Sequence, residues 1–151
     1  MSAPILAPAA VLVAWSLVVL LWMVLTRFAG LKKAGLDVKT APPGIRYTEV
    51  ESAVEPRVNW ISHNYSHLME QPTLFYATVM ILALSGQGVG LNVTLAWAYV
   101  GLRILHSLWQ TRVNTLPVRI SIFALSSTVL IVMSVNAVIA TLVQGGTGVS
   151  P

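Results

Sequence analysis

The residues from Ile5 to Ala29 are almost wholly apolar, and Arg27 is the only charge among them. A helix needs about 20 such residues to cross the hydrocarbon of a bilayer. The rest of the chain has the same character. Of its 151 residues 56% are hydrophobic and 9% charged, with a mean hydropathy of +0.76, whereas soluble domains carry about 25% charged residues. The sequence reads as an all-α integral membrane protein with room for roughly three to five spans and no separate soluble domain. The first run begins almost at Met1, has no basic segment before it and is too long for the apolar core of a signal peptide. It is expected to be a retained helix.

Four spans can be marked at about residues 5–29, 60–85, 91–109 and 117–143, giving a single four-helix domain over 1–151. Pro4 and Pro8 lie near the start of the first span, where a missing N–H costs least. From Gly30 to about Val58 the composition turns to Lys, Gly, Asp, Pro and Glu, and Ala41-Pro-Pro-Gly44 is a turn signal. The second helix is expected from about Val54, through Trp60, His63, His67 and Glu70, to about Leu84, with Pro72 a possible kink. Ser85–Gly90 turns the chain without a charge. On the third helix Tyr99, Arg103, His106 and Gln110 fall at i, i+4, i+7 and i+11, one polar stripe on an apolar rod. Arg112 and Asn114 lie in the turn that follows. Pro117 suits the first position of the fourth helix, with Arg119 in its first turn. The tail from Gln144 is Gly-rich and expected to fray.

The formal net charge of +4 and the pI near 9.9 do not point to nucleic acid, because six of the nine basic residues (Arg27, Lys32, Lys33, Lys39, Arg46, Arg57) share one connection. Such clustering is a topology signal: residues 30–58 and 110–116 are expected on the cytoplasmic side, with both termini opposite. The chain has no cysteine. Any thiol chemistry must therefore use the thiol of a ligand. Asn64-Tyr-Ser66 and Asn92-Val-Thr94 match the glycosylation pattern, but the expected topology gives neither any weight.

An arginine in the middle of a span costs roughly 2.5–3.5 kcal/mol on insertion scales, so Arg103 should face a partner, a cavity or a ligand. Glu70 on the neighbouring helix is the expected partner, either as a structural pair or as a pair that also meets a zwitterionic ligand. Arg27 can snorkel to the interface or turn inward to a ligand. His63, His67 and Glu70 share a helix face and have a spacing that suits a metal. They suit a solvated helix turn equally, and His106 is the only other histidine; no metal is expected.

Glu70-x-Pro72-x-Leu74-Phe75, Arg103-x2-His106 and Pro117-x-Arg119 together resemble the MAPEG family, the membrane-associated proteins in eicosanoid and glutathione metabolism that include microsomal glutathione transferases and the membrane prostaglandin E synthase. The resemblance covers essentially the whole chain. It implies a homotrimer with glutathione sites between subunits, glutathione as co-substrate, and no metal. Carried over, Arg27, Glu70, Arg103, His106 and Gln110 are the glutathione-binding residues, and Arg119 is the catalytic residue that favours the thiolate. The sequence departs from the family pattern at His67, where Asn is common, at Ser66 and His63, where arginines are common, and at Gln110 and Phe123, where tyrosines are common.

The function this implies is that of a membrane glutathione transferase or peroxidase acting on apolar electrophiles or lipid peroxides. The expected partners are a second and third copy of the chain, membrane lipid and an apolar small molecule, with no nucleic acid. Two alternatives remain: a non-catalytic assembly or lipid-binding protein of the same fold, and an isomerase working with or without glutathione. Ser126, Ser127, Ser134 and Asn136 suit helix packing under every reading.

Overall fold

The computed structural model describes residues 3–142. Helix α1 runs Leu6–Lys33, a one-turn helix α2 Tyr47–Val50, α3 Pro56–Leu84, α4 Leu91–Arg112 and α5 Leu116–Leu142; a 3-10 turn, Glu51–Ala53, follows α2. No strand occurs among the described residues.

The long helices differ from the marked spans at their ends. α1 continues four residues beyond Ala29, to Lys33, and α4 three beyond Trp109, to Arg112. Both extensions carry basic residues in the last turn, where cations offset the helix dipole. α3 starts at Pro56, which fills the first helical position, and continues through Pro72 to Leu84. α5 begins one residue before Pro117. Val143 and the tail from Gln144 lie outside the described residues.

The helices persist because each backbone polar group is satisfied within its own rod, which a bilayer demands. Several hydroxyls also bond within their own helix. Ser16 donates to the Leu12 carbonyl at 2.9 Å, Thr78 to Leu74 at 2.8 Å and Thr141 to Ala137 at 2.9 Å, so each closes on its own helix.

α3 and α4 form the middle of the bundle. α1 packs against both of them on one side and α5 against both on the other. The apolar core runs through Leu12, Val19, Leu68, Phe75, Tyr99, Val100 and Met133, and the Phe75 and Tyr99 rings stack at 4.4 Å.

The polar residues are inside and many apolar ones outside, the reverse of a water-soluble helix. On α4, Asn92, Arg103, His106, Ser107, Gln110 and Thr111 are buried, while Leu91, Trp97 and Leu105 are exposed. α1 and α5 are long and apolar enough to cross a membrane, with mean hydropathies of 2.4 and 2.2, yet only 22% of each apolar stretch is buried. Their outward Leu17, Leu21, Leu25, Ile131 and Val135 are too extensive an apolar surface for water. The chain is an integral membrane protein.

At one end of the bundle the Ile5 N–H donates to the Gly88 carbonyl at 3.3 Å, and Asn136 Nδ2 donates to Asn92 Oδ1 at 2.8 Å. At the other end lie the charged 34–55 connection and the α4–α5 turn. In that turn Asn114 has φ 58, a left-handed conformation that asparagine tolerates better than most residues.

Candidate functional site

Arg103 is the centre of the polar stripe. Its residue surface is 1% exposed, and Nη2 donates to the backbone carbonyl of His67 at 2.7 Å. Nε and Nη1 have no hydrogen-bond partner. The guanidinium carbon is 5.7 Å from the Phe123 ring centroid and 6.0 Å from that of Tyr99, distances at which a ring face attracts a cation.

The expected pair with Glu70 is not formed. Among the described residues, no carboxylate lies within ion-pair distance of Arg103. The Glu70 side chain is 67% exposed and turns to His67 Nδ1 at 3.3 Å, one helix turn back on the same rod. A carbonyl oxygen has two lone pairs, so the His67 oxygen can serve Arg103 as well as its own helix. The guanidinium is therefore held by one neutral acceptor, with no ion pair in contact with it.

Beside it, His67, His106, Arg119, Ile120 and Phe123 line a cavity of about 180 Å³. α3 supplies His67, α4 His106 and α5 the remaining three. The His106 ring centroid is 6.2 Å from each of the His67 and Phe123 rings. Arg119 Nη1 donates to Asn114 Oδ1 at 2.7 Å, so the left-handed residue of the turn aims the guanidinium. One cation, the half-buried Arg119, lines the cavity, no negative charge does, and two of its walls, His67 and Phe123, also neighbour the buried Arg103 guanidinium. Such a place suits an anion.

Above this cavity the stripe continues as hydrogen bonds. The Tyr99 hydroxyl donates to Gln71 Oε1 at 3.4 Å, and Gln71 Nε2 donates to Ser127 Oγ at 2.7 Å. On the α1 side Ser107 Oγ accepts from Asn64 at 2.7 Å and from Trp15 at 3.1 Å.

A scan against protein-family models matches residues 5–139 to the MAPEG family. The chain belongs to this family. It is therefore a membrane protein of a glutathione-related family of transferase and isomerase type. Neither the curated proteins nor the solved structures yield a match.

Of the six residues carried over from the MAPEG pattern, the fold brings His106 and Arg119 to one cavity, bonds Arg103 to the backbone of its wall residue His67, and sets Glu70 on the outer surface beside His67. It does not bring Arg27 or Gln110 there. Arg27 lies over the Tyr47 ring at 3.8 Å and lines a separate cavity under the α1–α3 connection. Gln110 is enclosed, with neither amide atom hydrogen-bonded. One turn beyond His106 it keeps the stripe's register, but it does not line the cavity.

The histidines do not form a metal face. His63 pairs with Glu51 and His67 with Glu70, so the two rings take separate carboxylates. Among the described residues no group of three or more His, Cys, Asp or Glu is placed to hold a metal ion. Reading the sequence alone misses three contributors: the His67 carbonyl, Asn114 as the residue that aims Arg119, and Ile120 as cavity wall. Only the Asn114 position carries a sequence signal, a turn-forming residue between two helices.

Proposed function

We propose that this MAPEG protein is a four-span homotrimer that binds glutathione at the Arg103 cavity and joins its thiolate to apolar electrophiles arriving from the bilayer. The observation that carries the proposal is the buried Arg103 guanidinium, with Nε and Nη1 unpartnered and, among the described residues, no carboxylate within ion-pair distance. An uncompensated buried charge is expensive. A ligand carboxylate would remove that cost, and glutathione has two carboxylates, an ammonium group and the thiol that the chain itself lacks.

In this reading Arg103 binds a carboxylate and His106 orients the peptide by hydrogen bonding. The exposed Glu70 takes the ammonium, and Arg119 faces the sulfur. A free thiol, with a pKa near 8.5, is mostly protonated at neutral pH, and only the thiolate attacks efficiently. The Arg119 guanidinium and the positive end of α5 both favour the charged sulfur. The thiol proton leaves to water at this end of the bundle. The sulfur then forms a C–S bond with the electrophilic carbon while the leaving group departs with its bonding pair. With a lipid peroxide the same thiolate attacks the terminal oxygen, the S–O bond forms as the O–O bond breaks to leave glutathione sulfenic acid and an alkoxide that takes a proton, and the thiol of a second glutathione then displaces water from the sulfenic acid to give the disulfide.

The cavity size supports the trimer. Ligand sites usually measure about 300–1,000 Å³, and one copy offers about 180 Å³. A neighbouring copy against the apolar outer faces would supply the missing wall. The cluster of basic residues supports four spans with the 30–58 connection and the 110–116 turn cytoplasmic.

Arg119 variants test the reading. Arg119→Ala should retain much of the glutathione binding while the thiolate absorbance and turnover collapse, and Arg119→Lys should partly restore both. Unchanged turnover in Arg119→Ala would reduce Arg119 to a helix anchor.

A further inference from the structure

Five basic residues, Arg27, Lys32, Lys33, Lys39 and Arg46, lie at the end of α1 and in the connection after it, and the structure folds that connection over a cavity of about 420 Å³. Its walls are mainly apolar, with Phe28, Leu31, Val38 and Ile45 among them, yet Arg27 and Arg46 also line it. The Arg27 guanidinium carbon sits over the Tyr47 ring, 3.8 Å from its centroid, and the buried Nε has no hydrogen-bond partner. Tyr47 is fixed in turn. Its hydroxyl donates to Asn59 Oδ1 at 2.6 Å, and Asn59 Nδ2 donates to the Glu51 carbonyl at 2.9 Å. Neither arginine has an ion-pair partner among the described residues. The one acid in the lining, Asp37, accepts the Lys39 backbone N–H at 2.9 Å.

Depth decides what such a cavity meets. α1 has 28 residues, about 42 Å at 1.5 Å per residue, and the hydrocarbon core is about 30 Å thick. A helix that enters the core near Leu6 leaves it near Leu25, so its last two turns, with Arg27, stand among the headgroups. An apolar wall next to two unpaired guanidinium groups at that depth matches a molecule with an acyl chain and a phosphate, to which arginine can donate two parallel hydrogen bonds.

We propose that this cavity holds one anionic phospholipid of the surrounding membrane, its headgroup phosphate at Arg27 and Arg46 and the start of an acyl chain against Phe28, Leu31 and Val38. The site is separate from the Arg103 cavity and needs no glutathione. It ties the otherwise irregular 34–46 connection to the membrane surface.

The test is native mass spectrometry of the full chain in mild detergent, titrated with dioleoyl phosphatidylglycerol, dioleoyl phosphatidylcholine, oleate or glycerol phosphate. One phosphatidylglycerol per chain should remain bound, with phosphatidylcholine, oleate and glycerol phosphate each weaker by roughly tenfold or more. Arg27→Gln with Arg46→Gln should weaken phosphatidylglycerol by roughly tenfold or more. Lys32→Gln with Lys39→Gln removes the same charge from the same segment without touching the cavity and should leave binding nearly unchanged. Arg46→Gln alone, at an exposed side chain, should weaken binding in a chain whose circular dichroism is that of wild type. Equal loss in the two double variants would mean surface charge alone and would overturn the site. So would equal binding of the two phospholipids, or equal competition by oleate or glycerol phosphate.

Discussion

Arg103 reaches across from α4 and donates through Nη2 to the backbone carbonyl of His67 on α3, at 2.7 Å. One neutral acceptor orients the guanidinium without neutralising it, and Nε and Nη1 stay free. The protein keeps a cation in its interior at a cost to its own stability, which is the arrangement expected of a group that is completed by a ligand.

Replacing Arg103 should therefore separate stability from binding. Arg103→Met keeps the length of the side chain and removes the charge. Thermal unfolding in detergent should show stability unchanged or raised by about 1–3 kcal/mol. Glutathione affinity should fall by roughly tenfold or more, since each hydrogen bond to a charged group contributes about 1.5–3 kcal/mol. A strongly destabilised Arg103→Met that still binds glutathione would make the arginine a structural pin.

The α4–α5 turn gives a finer test. Asn114 has φ 58 and also accepts from Arg119 at 2.7 Å. Asn114→Gly retains the backbone conformation but deletes the acceptor. It should unfold near the wild-type temperature while turnover falls, because Arg119 is no longer aimed. Asn114→Ala should lose the acceptor and also about 1 kcal/mol of stability, from the left-handed strain of a Cβ. Equal turnover in wild type and Asn114→Gly would show that the hydrogen bond positions nothing.

The opposite end of the bundle serves as a control. A Cβ on Gly88 would lie 2.9 Å from Ile5 Cγ2, 3.1 Å from Ala3 Cβ and 3.2 Å from the Ala83 backbone. Gly88→Ala should cost about 1–3 kcal/mol by overpacking. It should leave the glutathione affinity of the folded fraction unchanged, as the Arg103 cavity is at the far end. Thermal unfolding and calorimetry on the same sample would separate the two.

Topology can be checked with reporter fusions. The basic 30–58 connection and the chargeless 85–90 turn predict that a reporter at residue 45 lies on the cytoplasmic side and one at the C-terminus opposite. Both reporters on one side would rule out four spans.

The helical, membrane-embedded character is legible because the apolar runs leave the backbone no other way to satisfy its polar groups. The inward turn of Arg103 is legible too, since lipid gives a guanidinium nothing to bond. Its partner is not. Glu70 looks right by charge, but the acceptor is a backbone carbonyl, which every residue carries and no side-chain pattern reveals. The 30–58 connection is similarly opaque. Its Pro-Pro-Gly turn is plain, whereas the packing of Tyr47 under Arg27 depends on α2 folding back toward α1, a tertiary contact between residues 20 apart. The cavity at His67, His106 and Arg119 is assembled from three helices, and sequence spacing within one helix shows only a third of it.

Isothermal titration of the detergent-purified wild-type chain with glutathione, alongside Arg103→Met, tests the central claim most directly. Saturable binding to wild type that is lost or weakened by roughly tenfold or more in Arg103→Met is the expected result. No heat of binding to a folded wild-type protein, or the same affinity in both, would contradict glutathione as the occupant of the Arg103 cavity.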